Sequence, residues 1–99
     1  MSLTIAQIEA TKQEFKENIA RSGLSLDDLA LVLNTTPDVI AQSIAMHPRR
    51  IEDNWIIRNF LMKYMADNGI EVVPFTALLG DYHDYWFLDD RVVERGLIG

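Results

Sequence analysis

The chain has 99 residues, 48% of them hydrophobic, and no cysteine. That suffices for one core in a single domain spanning 1–99, and it excludes disulfides, thiolate metal sites and thiol chemistry. Nine Lys and Arg oppose fifteen Asp and Glu for a net charge of −6, which favours solubility and opposes non-specific attraction to phosphate.

The opening MSLTIAQIEATKQEF has no basic start followed by an apolar run, so it is not expected to be a signal peptide. Apolar runs such as Leu29 to Leu33 are too short to cross a bilayer. A cytoplasmic location without membrane contact is the expectation. The first helix is predicted from about Thr4 to Ser22. Thr4 is its cap, Gln7 closes a capping box, and Gly23 supplies the left-handed residue that ends it. Ile8, Phe15 and Ile19 share its apolar face, with Glu9, Lys12, Glu14, Lys16 and Glu17 supplying much of the rest.

A second helix follows at once, capped by Ser25, with Asp27 and Asp28 in the first turn and Asp28 at the capping-box position. Leu26, Leu29, Ala30 and Leu33 form its apolar stripe, and Asn34 is its stop. Thr36-Pro37, a cap and a first-turn proline, opens a third helix to about Met46 that buries Val39, Ile40 and Ile44. His47-Pro48 breaks it.

Asp53 is the expected cap of a fourth helix, about Asn54 to Asp67, closed by Asn68-Gly69. Its main apolar face is Ile57, Phe60, Leu61, Tyr64 and Met65, with Trp55, Ile56 and Met62 as a second stripe. A helix so widely apolar needs cover on two sides, from the C-terminal segment or from a second copy of the chain. Beyond it, Ile70 to Val73 is a short extended candidate, Phe75 to Leu79 a single helical turn, and Asp89 the cap of a last short helix ending at Gly96. The fold class is therefore mainly all-α, a compact helical domain around a helix-turn-helix with a short irregular C-terminal segment.

Leu24 to Ile44 carries the informative spacing: small Ala30 where two helices cross, Asn34 at the sharp turn, and Ile40 plugging the angle between the helices. This run, LSLDDLALVLNTTPDVIAQSI, resembles the DNA-binding core of lambda-repressor-like bacterial regulators. It departs from them in Asn34 where glycine is usual, and in Thr35 and Ser43 where apolar residues are usual. If the unit reads DNA, the third helix enters the major groove and presents Thr36, Asp38, Ala41, Gln42 and Ala45. Gln42 suits bidentate pairing with adenine, Thr36 suits a phosphate, and His47, Arg49 and Arg50 follow directly as candidate backbone contacts. Against this, no Lys or Arg occurs from residue 22 to 48, whereas Asp27, Asp28 and Asp38 do. Of the cations elsewhere in the chain, Arg21 and Arg58 are the further candidates for phosphate.

Asp81, His83 and Asp84 lack the spacing and companions of a metal site, so no metal and no cofactor are expected. Tyr82, Tyr85, Trp86 and Phe87 concentrate four of the nine aromatics. With Trp55 and Met62 they are the expected partner or homodimer surface, a pairing favoured over a small-molecule pocket. No nucleophile–base–acid constellation or phosphate-cradling glycine loop is present, so catalysis is not expected.

Taken together, MSLTIAQIEAT, the helix-turn-helix run, EDNWIIRNFL, PFTALLGDYHDYWFLD and the closing Arg95-Gly96 to Ile98-Gly99 resemble a family of small bacterial proteins, domain of unknown function 2316. The resemblance implies a bacterial cytoplasmic protein with a regulator-like fold and no assigned activity. Two functions remain: a DNA-binding transcription-regulator-like homodimer, or a protein-interaction module on the same scaffold that uses its aromatic tail.

Overall fold

Thr4 stands in extended backbone with φ −72° and ψ 164°. Its hydroxyl accepts from the Gln7 N–H at 3.1 Å, and the Gln7 carboxamide accepts from the Thr4 N–H at 2.8 Å. Two otherwise orphaned donors are thereby satisfied and α1 (Ile5–Ser22) begins. Gly23 ends it at φ 75°. These contacts, and all that follow, belong to the computed structural model, which describes residues 4–46, 51–78, 93, 94, 96 and 98.

The second capping box is equally local. The Ser25 hydroxyl accepts from Asp28 N–H, and the Asp28 carboxylate accepts from Ser25 N–H, both at 3.0 Å, opening α2 (Leu26–Val32). Hydrogen bonds from the Ser25 backbone and then the Ser25 hydroxyl hold the Asp28 carboxyl below its ordinary value of 3.8, against a small opposing effect of burial. A carboxyl depressed in the folded state stabilises the fold above its unfolded value and ceases to as pH falls through the folded one. Asp28→Asn is therefore expected to flatten the acid limb of a melting-temperature profile below about pH 4. An acid limb identical to that of the parent would remove Asp28 from the account.

At the end of α2 the chain turns through Asn34 at φ 58°. The Thr35 N–H reaches back to the Ala30 carbonyl at 2.8 Å, closing the helix as a Schellman motif. Asparagine serves where glycine is usual because its short polar side chain tolerates the left-handed region. Thr36 then caps α3 (Pro37–Ile44), its hydroxyl accepting from Val39 N–H at 3.4 Å. α3 stops two residues short of the expected Met46, because Met46 itself turns left-handed at φ 66°. Ile40 and Leu29 are completely buried and Ala30 nearly so, the close helix crossing that the spacing implied. Ser43 is tolerated in the interior because its hydroxyl donates to the Val39 carbonyl at 2.9 Å.

The fourth helix, α4 (Ile51–Asp67), starts earlier than expected. Asp53 is not its cap but lies inside the first turn, fully buried. The adjacent Asn54, also buried, donates its side-chain amide to the Ser43 carbonyl at 2.8 Å and so ties the end of α3 to the start of α4. Gly69 at φ 68° and a bond from Ile70 N–H to the Met65 carbonyl (2.8 Å) close α4 where Asn68-Gly69 predicts.

α1 and α3 pack on α4, and α2 packs on α3. Phe15, Leu29, Leu33, Ile40, Trp55, Ile57 and Leu61 form one buried cluster that also takes in Phe75, Leu78, Val93 and Ile98. Part of the cover for α4 is therefore supplied by the same chain. Residues 70–75 form no strand or bridge, in contrast to the extended candidate, and 76–78 bend without a helical turn.

What holds this segment is a polar stripe on α1. Asn18 donates to the Val73 carbonyl at 2.9 Å and accepts from the Val73 N–H at 2.7 Å. Glu14 accepts from the Thr76 N–H and hydroxyl at 3.1 and 2.7 Å, and Arg21 donates to the Glu71 carbonyl at 3.1 Å. Glu14, expected among the polar residues that flank the apolar face, is buried instead. Val93 and Glu94 are helical and Gly96 is left-handed at φ 70°, near the expected last helix. The expected cap Asp89, the DYHDYWFL run and the His47-Pro48 break lie outside the described residues. The Ile98 N–H donates to the Leu33 carbonyl at 2.9 Å, bracing the turn between α2 and α3.

Candidate nucleic-acid interface

The outward side of α3 is set by its inward one. With Ile40 and Ser43 buried, Asp38 and Gln42 fall on the exposed side, Ala41 and Ala45 are half-buried at its edge, and the capping Thr36 is exposed at its start. Asp38 and Gln42 thus share the accessible side of α3, and Thr36 is exposed at its start. The Thr36 hydroxyl is already engaged as the cap, leaving its remaining hydrogen-bonding capacity for a ligand. His47, Arg49 and Arg50 lie outside the described residues.

Two further cations considered for phosphate make contacts within the fold. Arg21 holds the Glu71 carbonyl. Arg58 donates through Nε to the Leu78 carbonyl at 2.8 Å and through Nη1 to the Asn59 side chain at 2.7 Å, and its guanidinium lies 5.0 Å from the Trp55 ring centre and 6.0 Å from that of Phe75. Stacked and bonded in this way, Arg58 clamps the core and is poorly placed to reach a backbone, whereas Arg21 makes one exposed bond.

The composition of the α2–α3 stretch hides a different pair. Lys12 and Lys16 of α1 border a groove of about 260 Å³ whose other described lining residues are Ala41 and Ile44 of α3 and its C-cap Ala45. Lys12 pairs with Glu9 at 3.3 Å across one turn of α1, and Lys16 is exposed. Their one-turn spacing was visible in the sequence. Their adjacency to α3 was not, because it arises from packing between helices distant in the chain.

The expected partner surface fares differently. Trp55 is only 2% exposed and belongs to the core cluster, so it is not available to a partner; the Arg58 guanidinium covers its ring. Met62 is half-buried. Tyr82, Tyr85 and Trp86 lie outside the described residues, as do Asp81, His83 and Asp84. Among the described residues, the large apolar side chains that do stand in the open are Leu31 (83% exposed) and Val32 (51%) on α2, and Ile5 at the start of α1. Leu31 and Val32 escaped sequence reading because the α2 stripe accounts only for the inward residues. Among the described residues no group of three or more His, Cys, Asp or Glu side chains is arranged to hold a metal ion, and no helix is long and apolar enough to cross a membrane.

The architecture is thus an all-α one whose second and third helices meet at the tight Asn34 turn. The chain belongs to a bacterial family described as an uncharacterized protein conserved in bacteria (DUF2316), whose family model matches residues 1–89. No curated protein and no solved structure matches it.

Proposed function

We propose that this chain is a helix-turn-helix DNA-binding regulator, non-enzymatic and homodimeric, whose α3 enters the major groove. The observation that carries the reading is the division of α3 into a buried side, Ile40 and Ser43, and an accessible side bearing Asp38 and Gln42, with Thr36 exposed at the helix start. Gln42 pairs with a base edge, adenine offering the matching donor and acceptor. Thr36 and the start of α3 hold a phosphate, and His47, Arg49 and Arg50 grip the backbone beyond it. Two copies of α3 about 34 Å apart would meet successive major grooves on one side of a duplex.

The test is a fluorescence-anisotropy titration with pooled genomic fragments from a bacterium of the family, at low and near-physiological salt. Saturable binding that weakens steeply with salt supports the reading, and no binding at low salt overturns it. Arg49→Ala combined with Arg50→Ala is expected to reduce the slope of log affinity against log salt by about one to two units per protomer. An unchanged slope removes those two residues from the interface.

A second reading has its own observation. Leu31 and Val32 stand exposed on α2, the helix that opens with Asp27 and Asp28. Apolar side chains beside carboxylates suit a protein surface better than a phosphate backbone. On that reading the fold is a protein-interaction module. Leu31→Ser with Val32→Ser would then abolish self-association or partner capture while leaving DNA titrations unaltered.

A further inference from the structure

We propose that the groove between α1 and α3 is a docking site for the sugar-phosphate backbone of duplex DNA, with Lys12 and Lys16 as the phosphate-binding residues. The proposal rests on the DNA-binding reading above and assigns it a contact outside the helix-turn-helix itself. From residue 22 to 48 the chain has no Lys or Arg. DNA affinity comes largely from neutralised phosphates, so a reading helix without cations needs them from its neighbours. The two described lysines beside α3 are at positions 12 and 16, one helical turn apart, which puts both on the same side of α1.

The lining of the groove they border also suits this ligand. Its α3 side is lined by Ala41, Ile44 and Ala45. Methyl-sized side chains at 41 and 45 leave room for a strand to approach closely and present an apolar wall to sugar carbons. Gln42 is next to Ala41 and one turn before Ala45, so a strand lying in the groove runs along the edge of the side of α3 proposed to read bases. The nearby carboxylate does not block this. Glu9 pairs with Lys12 in an exposed ion pair with side chains 66% and 30% accessible, an interaction of little net strength that a phosphate readily replaces. Lys12 and Lys16 grip one flank of the reading helix.

The test is lysine-acetylation footprinting read by mass spectrometry, with mixed-sequence duplex DNA as the probe. Lys63 is the internal comparison, being largely exposed, paired with Asp67 at 3.1 Å, and set in a separate depression with Ile56, Phe60 and Val93. Saturating duplex is expected to slow acetylation of Lys12 and Lys16 several-fold and to leave Lys63 unchanged. In parallel, Lys12→Gln with Lys16→Gln is expected to lower the salt slope by about one to two units per protomer, and the Lys12→Arg, Lys16→Arg pair to restore it. Both are surface changes, and unaltered circular-dichroism melts establish that each variant folds.

Salt-dependent duplex binding with both lysines acetylating at the free rate overturns the proposal and leaves the DNA-binding reading standing. Absence of duplex binding at low salt overturns both. Protection by polyglutamate but not by duplex overturns the proposal and assigns the groove to an acidic protein.

Discussion

Replacing Asn18 with alanine is expected to destabilise the fold by about 2–4 kcal/mol, measured as a fall in the urea midpoint at unchanged m-value. Asn18 is completely buried, and its carboxamide satisfies both backbone groups of Val73, at 2.9 and 2.7 Å. Alanine offers neither donor nor acceptor, so a backbone N–H and a carbonyl lose their partners together, each a loss of about 1–3 kcal/mol when it stays buried. The consequences extend past one residue. Residues 70–75 have no strand partner, and Asn18, Glu14 and Arg21 are the side chains that hold their backbone and that of Thr76. Two residues beyond Val73, the ring of Phe75 meets Phe15 edge-on with centres 4.9 Å apart. Hydrogen exchange at the Val73 amide should accelerate in the variant well ahead of amides in the middle of α4. Arg21→Ala removes a single exposed bond and should change stability by well under 1 kcal/mol. A loss below 1 kcal/mol for Asn18→Ala would mean that the segment stays in place without the carboxamide.

This stripe also marks the boundary of what the sequence discloses. Thr4 with Gln7, Ser25 with Asp28, Gly23, Asn34 and Thr36-Pro37 were all legible, because each acts within a few residues of itself and the backbone chemistry of helix ends is local. Burial of Leu29, Ala30 and Ile40 followed from helical spacing. Glu14 and Asn18 were not legible: a carboxylate that accepts from Thr76 and one that faces solvent look the same on a helical wheel. Asp53 departs from the local expectation for a related reason. It is a good local cap, but Asn54 is bonded to Ser43 across the corner, and the helix runs back to Ile51. For the candidate site, the exposed residues of α3 followed from its periodicity. The placement of Lys12 and Lys16 beside it depends on how α1 packs against α3, and no local rule sets that.

Trp55→Ala is expected to cost about 3–5 kcal/mol, the range for removing a large aromatic from a packed interior. It also separates a core role from a partner role. As a surface for a second copy, Trp55 would contribute little to the fold of one chain, and its loss would appear in the association state. Placed as it is, in the same cluster as Phe15, Ile40 and Leu61, its loss should appear in the urea midpoint, with the concentration dependence of sedimentation unchanged. Part of the cost comes through Arg58. Without the ring 5.0 Å from its guanidinium, that side chain keeps its bond to the Leu78 carbonyl and its place near Phe75 but loses the nearer of its two aromatic faces. Met62→Ala, at a half-buried position on the same helix, should cost markedly less. A Trp55→Ala protein with a near-parental midpoint and altered self-association would return Trp55 to an interface. The opposite result would leave the exposed Leu31 and Val32 of α2, with Ile5 at the start of α1, as the large apolar side chains available among the described residues for pairing two copies. A dimer formed through α2 would place the two reading helices close to its own interface, so the location of the apolar contact bears directly on which half-site spacings the protein can span.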